Sequence, residues 1–380
     1  MTYEELLVEK AKYPDKMTNA ERLEAYYAGK EVDRIPMTMI IGPDSAAGYY
    51  GYTMKQFRES LEIQSEVMDK LYEDFGLDDC EMGIGLKAVG EALGSTRVYP
   101  DDGMDYLTDF ILEDYSKLDE LNIINPYEDT PFKGILAKIK YFQERYPDRK
   151  VTTAVAGPMT TAAAIRKPEK VMRDLIKNKE DLHRLLDFSV KCTLEWVRAA
   201  VEVGGKMPVK ISDPVASTTM MNIKHFEEFS KPHFKDLVDG IVEITGFRPN
   251  IHICGKSKEL WKPIAQMGVN SFSLDNIEDL AVAKEYIGDV TTIIGNVPPV
   301  EMLKYGSIDE VINYSIECLK KGADSPNGYM LGAGCQTPMG VPKENIEAMM
   351  YAGRRYGRGA KIGELPKGLK DLEKQLGDKA

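Results

Sequence analysis

Short apolar, β-branched runs recur along this chain, each separated from the next by a stretch with helical periodicity, and that rhythm limits the possible folds more than any other feature. Candidate strands are Ile35 to Ile41, Cys80 to Ile84, Val151 to Ala156, Val209 to Ser212, Asn250 to Cys254, Ser271 to Leu274, Thr291 to Ile294 and Tyr329 to Leu331. Parallel strands joined by crossover helices have this signature, and these eight runs predict an α/β fold, a closed (β/α)8 TIM barrel.

The length of 380 residues suits one such barrel with an N-terminal addition. Residues 1–30 are expected to form a helical extension, because Thr18 and Glu21 have capping-box spacing and Leu23, Tyr26 and Tyr27 follow on one face. Ser307 and Glu310 repeat that spacing before a second amphipathic run. Residues 42–150 exceed what a strand and a helix need and are rich in Tyr and Gly, so they are expected to be in part an elaboration beside the barrel. No repeat or linker divides the chain, and 1–380 is expected to be a single domain.

Charge removes one class of partner: with 61 acidic against 49 basic residues the net charge is -12, and no basic stripe interleaved with aromatics offsets it, so nucleic acid is not expected. No run approaches the ~18 apolar residues of a membrane span, and the start MTYEELLVEK lacks the basic and apolar regions of a secretory signal. A cytoplasmic protein without a membrane partner is expected. Its five cysteines are spread too widely for a disulfide framework, which leaves core thiols or ligands.

Polar residues follow the apolar runs at Asp213, His252-Ile253-Cys254-Gly255, Asp275-Asn276, Gly295-Asn296 and Gly334-Cys335-Gln336. In a barrel of this type the C-terminal ends of the strands form the active-site face. Residues i and i+2 of a strand point the same way, so His252 and Cys254 can reach one ion, and Cys335 can join them from the last strand. Zinc favours imidazole and thiolate, and a catalytic zinc has three protein ligands and an open position. A lone His-x-Cys also arises by chance, and a free Cys is often a small buried hydrophobe; the shared strand-end placement is what favours a metal. Asp275 is either a fourth ligand or an acceptor supporting the imidazole. Asp213 and Asn296 are expected to be catalytic, and Met159, Thr160, Asn276 and Gln336 to bind substrate. His183, His225 and His233 lie in charged helical or loop segments and are expected to be solvated or capping.

Taken together, these residues resemble the uroporphyrinogen decarboxylase superfamily, in particular its zinc-dependent corrinoid methyltransferase branch. The likeness spans most of the chain and rests on Asp33-Arg34-Ile35-Pro36, Ala156-Gly157-Pro158, Ser212-Asp213-Pro214, His252-Ile253-Cys254-Gly255, Gly295-Asn296-Val297, and Gly334-Cys335 with Pro342 and Glu344-Asn345-Ile346. The resemblance implies that Zn2+ is held by His252, Cys254 and Cys335, and that the second cofactor, a corrinoid, is carried by a partner protein, since this chain has no Asp-x-His-x-x-Gly motif. Decarboxylases hold a polycarboxylated substrate with arginines after the first strand, yet Met37 to Gly51 contains none, and Cys335 stands near where they are expected to show His.

The expected activity is methyl transfer between a corrinoid protein and a small-molecule donor or acceptor. Tyr49, Tyr50, Tyr52, Met37, Met39 and Met159 favour a methoxyaromatic donor, hence O-demethylation. The alternatives are a methyl-corrinoid:thiol methyltransferase of the coenzyme M type, a decarboxylase, and a non-catalytic barrel whose structural zinc is closed by Asp275.

Overall fold

The computed structural model describes residues 1–78 and 80–377. In chain order its strands are β1 (Val32–Arg34), β2 (Cys80–Glu81), β3 (Thr96–Val98), β4 (Tyr106–Asp109), β5 (Val151–Ala156), β6 (Val209–Ser212), β7 (Asn250–Ile253), β8 (Ser271–Leu274), β9 (Thr292–Val297), β10 (Tyr329–Ala333) and β11 (Arg358–Ala360). Packing divides the chain into two compact units, Met1–Asp78 with Ser271–Ala380, and Asp79–Asn270.

Within the second unit, β2, β5, β6 and β7 form a parallel ladder in that order. The crossovers are helices: Pro158–Ile165, Pro168–Lys177 and Lys179–Gly204 lead from β5 to β6, and Lys231–Thr245 lies between β6 and β7. The helix Lys179–Gly204 buries Leu182, Leu185, Leu186, Ser189, Val190 and Thr193, an i, i+3, i+4 stripe that faces the core. Its Trp196 indole donates to Thr153 Oγ1 at 3.2 Å, which ties the helix to β5. The antiparallel pair β3–β4 is the true elaboration in this unit. The segment expected to be in part an elaboration also contains the strand anticipated at Cys80 to Ile84, present as the shorter β2, and the helix Phe132–Arg145 that follows it.

In the first unit, β8, β9 and β10 form a second parallel ladder whose β8 and β9 residues are all buried. Strands covered on both faces read as continuous apolar runs, which is why these were visible in the sequence. The run Ile35 to Ile41 is not a regular strand. Met37 bridges Leu331 in the parallel sense, and three backbone hydrogen bonds link residues 36–39 to β10. Pro36 has no N–H to give, and Met39 adopts φ +53°, so the ladder stops there. The regular strand, β1, precedes this run and pairs antiparallel with β11. Both anticipated capping boxes are present, Thr18 with Glu21 and Ser307 with Glu310. Among the described residues no helix is long and apolar enough to cross a membrane.

Candidate metal centre

In the Asp79–Asn270 unit the end of β7 carries the first two expected ligands. His252 is buried, Cys254 is half-buried, and His252 Nε2 lies 3.0 Å from Cys254 Sγ, as the alternation of a strand requires. Register with β6 pairs His252 with Ser212. The turn that follows is clamped: Thr218 N and Oγ1 both donate to Lys256 O at 2.9 Å, and Lys256 N donates to Thr219 Oγ1 at 3.0 Å. Gly255 sits at φ +79°, and a Cβ there would come within 2.7 Å of that Oγ1. Thr218 and Thr219 were not anticipated as supports, because their role depends on a turn that only the fold brings alongside.

At the end of β6, Asp213 is fully buried. Its carboxylate accepts from Thr160 N at 2.8 Å, Thr160 Oγ1 at 2.6 Å and Met159 N at 3.4 Å, so it faces the start of the helix Pro158–Ile165. Burial pushes its carboxyl up to about 6, against the lowering effect of these bonds. Close packing leaves no room for a side chain at Gly157, whose Cβ would lie 2.4 Å from Asp213 Oδ2. Asp213, Met159 and Thr160 are thus brought together, Thr160 Oγ1 also accepts from Val215 N at 3.2 Å, and Asp213 N donates to His252 O at 3.2 Å.

In the other unit Cys335 is half-buried and follows β10 directly. Gly334 N donates to Val297 O at 2.8 Å, and a Cβ on Gly334 would lie 2.5 Å from Asn276 N, so the turn after β8 packs against the end of β10. Asn296 holds that turn, its Nδ2 donating to Asp275 O at 3.0 Å and Glu278 O at 2.7 Å. Asp275 Oδ1 accepts from Ile277 N at 3.1 Å. Gln336 is exposed and reaches Asp44 Oδ2 at 3.4 Å. Cys192 and Cys318 are core thiols, both pushed up to about 12 by burial, which makes them inert.

In the Asp79–Asn270 unit His252 and Cys254 bring an imidazole and a thiol together, a donor set that with a further thiol fits zinc. A second group of described side chains with the donors to hold a metal ion is Asp187 with His233 and Asp236.

Residues 18–356 match the uroporphyrinogen decarboxylase (URO-D) family. The chain belongs to that family. It is 26% identical over 355 residues to the methylcobamide:CoM methyltransferase MtaA of Methanosarcina barkeri, covering 88% of this chain and 97% of that protein. To the uroporphyrinogen decarboxylase of Synechococcus sp. it is 26% identical over 346 residues, covering 86% and 94%. Overall identity therefore does not separate the two activities found in the family. A solved structure described as a methyltransferase from Methanosarcina mazei matches with a TM-score of 0.75 at 24% identity, over 89% of this chain and 98% of that one. That likeness establishes the fold as a TIM-like barrel.

Proposed function

We propose that this protein moves a methyl group from the corrinoid of a partner protein to a small thiol, at a zinc ion held by His252, Cys254 and Cys335. The observation that carries the proposal is the approach of His252 Nε2 to Cys254 Sγ, two soft donors aimed at one point from the end of a barrel strand. Cys335 ends a strand in the same manner. Relatives named methylcobamide:CoM methyltransferases and a methylated-thiol–coenzyme M methyltransferase support a thiol acceptor. The absence of arginine between Met37 and Gly51 argues against a polycarboxylate substrate.

A methoxyaromatic donor gains no support from the tyrosines that suggested it. Tyr49 donates to Val341 O at 2.6 Å, Tyr50 to Asp74 at 2.9 Å and Tyr52 to Glu66 at 2.7 Å, all within their own unit. Met159 is fully buried.

When bound, zinc lowers the pKa of a thiol that meets it, so that a thiolate exists at neutral pH. The protein's share is to hold its three donors still. The β6–β7 ladder and the Thr218–Thr219 clamp fix His252 and Cys254, while the Gly334 contact fixes the approach to Cys335. We assign Asn296 and Asp213 to positioning and Asp275 to its own turn, so that His252, Cys254 and Cys335 would be the three residues to hold the ion and a substrate thiol could meet it. In the transfer, the sulfur–carbon bond forms as the cobalt–carbon bond breaks, both electrons stay on cobalt, and the thiol proton passes to solvent.

The test is to mix the protein with a methylated corrinoid carrier and a panel of small thiols, following the cobalt spectrum. The expected result is thiol-dependent demethylation that a chelator abolishes. Methyl movement only from methoxyaromatics onto reduced carrier, or metal-free decarboxylation of a polycarboxylated tetrapyrrole, overturns the proposal.

A further inference from the structure

The second donor group lies wholly within the Asp79–Asn270 unit, on the helices Lys179–Gly204 and Lys231–Thr245, which pack against each other. His233 and Asp236 are one turn apart on the second helix, and Asp187 faces them from the first. We propose that His233, Asp187 and Asp236 bind a first-row divalent cation that bridges these two helices.

Three observations carry this. First, His233 is 94% buried (relative exposure 6%), and its Nδ1 has no hydrogen-bond partner. Asp187 Oδ1 is 3.0 Å from that nitrogen, but outside the direction in which a ring N–H would donate. Two donor atoms that close without a hydrogen bond between them have the spacing of neighbours around one ion.

Second, the other ring nitrogen is accounted for in the sense that metal binding requires. His233 Nε2 lies 3.0 Å from His183 Nδ1, and the His183 ring is stacked on Phe229 at 4.7 Å. With the Nε2 proton donated to His183, Nδ1 carries a lone pair that no hydrogen bond uses, the arrangement in which a supporting group orients a ligating imidazole.

Third, neither carboxylate is matched by a lysine or arginine among the described residues, although cations are close in sequence. Lys235 is paired with Asp239, and Arg184 with Asp181 and Asp119. One imidazole and two carboxylates, open to water on one side, suit manganese, cobalt or zinc rather than a thiophilic ion.

The test uses the full chain loaded with one equivalent of zinc and then titrated with Mn2+, followed by loss of the free-ion paramagnetic resonance signal. Manganese is the probe because the sulfur-containing donor set disfavours it. The wild-type protein is expected to take up one Mn2+ saturably and to melt at a higher temperature when loaded. Asp187→Asn combined with Asp236→Asn, both exposed and so compatible with folding, is expected to weaken uptake ~10-fold or more and remove the thermal shift. No saturable uptake by the wild type, or equal uptake by the folded double variant, overturns the proposal whatever the outcome for thiol methylation.

Discussion

Asp33-Arg34 in β1 and His252-Ile253-Cys254 at the end of β7 are both among the motifs that mark the family likeness, yet their polar groups are used differently. Asp33 accepts from Arg22 Nε at 2.7 Å, Arg22 Nη2 at 3.0 Å, Lys16 N at 2.8 Å and Met17 N at 3.1 Å. Arg34 Nε donates to Asp15 Oδ1 at 2.6 Å, and both arginines are buried. This cluster fastens the helix Asn19–Tyr27 to β1, and its charges cancel locally. His252 Nε2 and Cys254 Sγ instead approach each other at 3.0 Å at the end of β7. The difference teaches that a family motif marks either a joint or a site, and that the partners of its side chains tell which.

If that division is right, the two motifs fail differently when altered. Replacing His252 with Gln, or Cys254 or Cys335 with Ser, removes a donor from the proposed zinc site. Bound zinc and methyl transfer are expected to be lost together, with activity down ~100-fold or more, since even a group supporting a ligand is worth 10- to 100-fold. The unfolding midpoint of the metal-free protein should move by less than about 1 kcal/mol. Metal analysis beside a turnover assay checks this, and a zinc-free variant with full turnover would sink the assignment.

Asp33→Asn should show the opposite pattern. It leaves the buried Arg22 guanidinium facing a neutral amide, and breaking such a pair costs ~3 kcal/mol at its upper range here, because the amide oxygen still accepts one bond. Denaturant unfolding should register that loss. Zinc content and turnover per folded molecule should stay at the wild-type level; a drop in either would mean that the joint also shapes the site.

The same contrast explains which features could be read from the chain alone. Val151–Ala156, Val209–Ser212 and Ser271–Leu274 appear within their anticipated bounds, because buried parallel strands carry their apolar signal in every residue. The pair β3–β4 was hidden because it is short and largely exposed, with no apolar period to detect. His252 and Cys254 were legible because strand alternation alone puts them on one side. Asp213 was expected to be catalytic from its position; that its carboxylate meets a helix start more than fifty residues earlier in the chain is a relation that no local pattern carries. His233 was expected to be solvated; it is buried because Lys179–Gly204 packs over a helix whose charged residues otherwise read as surface.

The smallest effect that separates the two motifs lies in acid. Burial by itself would raise the Asp33 carboxyl, but the bonds from Arg22 and the Lys16 N–H outweigh it and hold the group at about 2, below its ordinary 3.8. The folded pKa lies below the unfolded one, so the group's contribution is fully present above pH 3.8 and is lost as pH falls towards about 2. A shift of that size corresponds to ~2 kcal/mol, and solvent screening of a partly buried carboxylate reduces it to ~1 to 2 kcal/mol. Stability measured by urea unfolding between pH 5 and pH 2 should therefore fall more steeply in the wild type than in Asp33→Asn, which cannot titrate there. Parallel acid limbs would show that the charge on Asp33 contributes nothing, and would reduce the Asp33-Arg34 motif from an ionic joint to one held by shape and backbone hydrogen bonds.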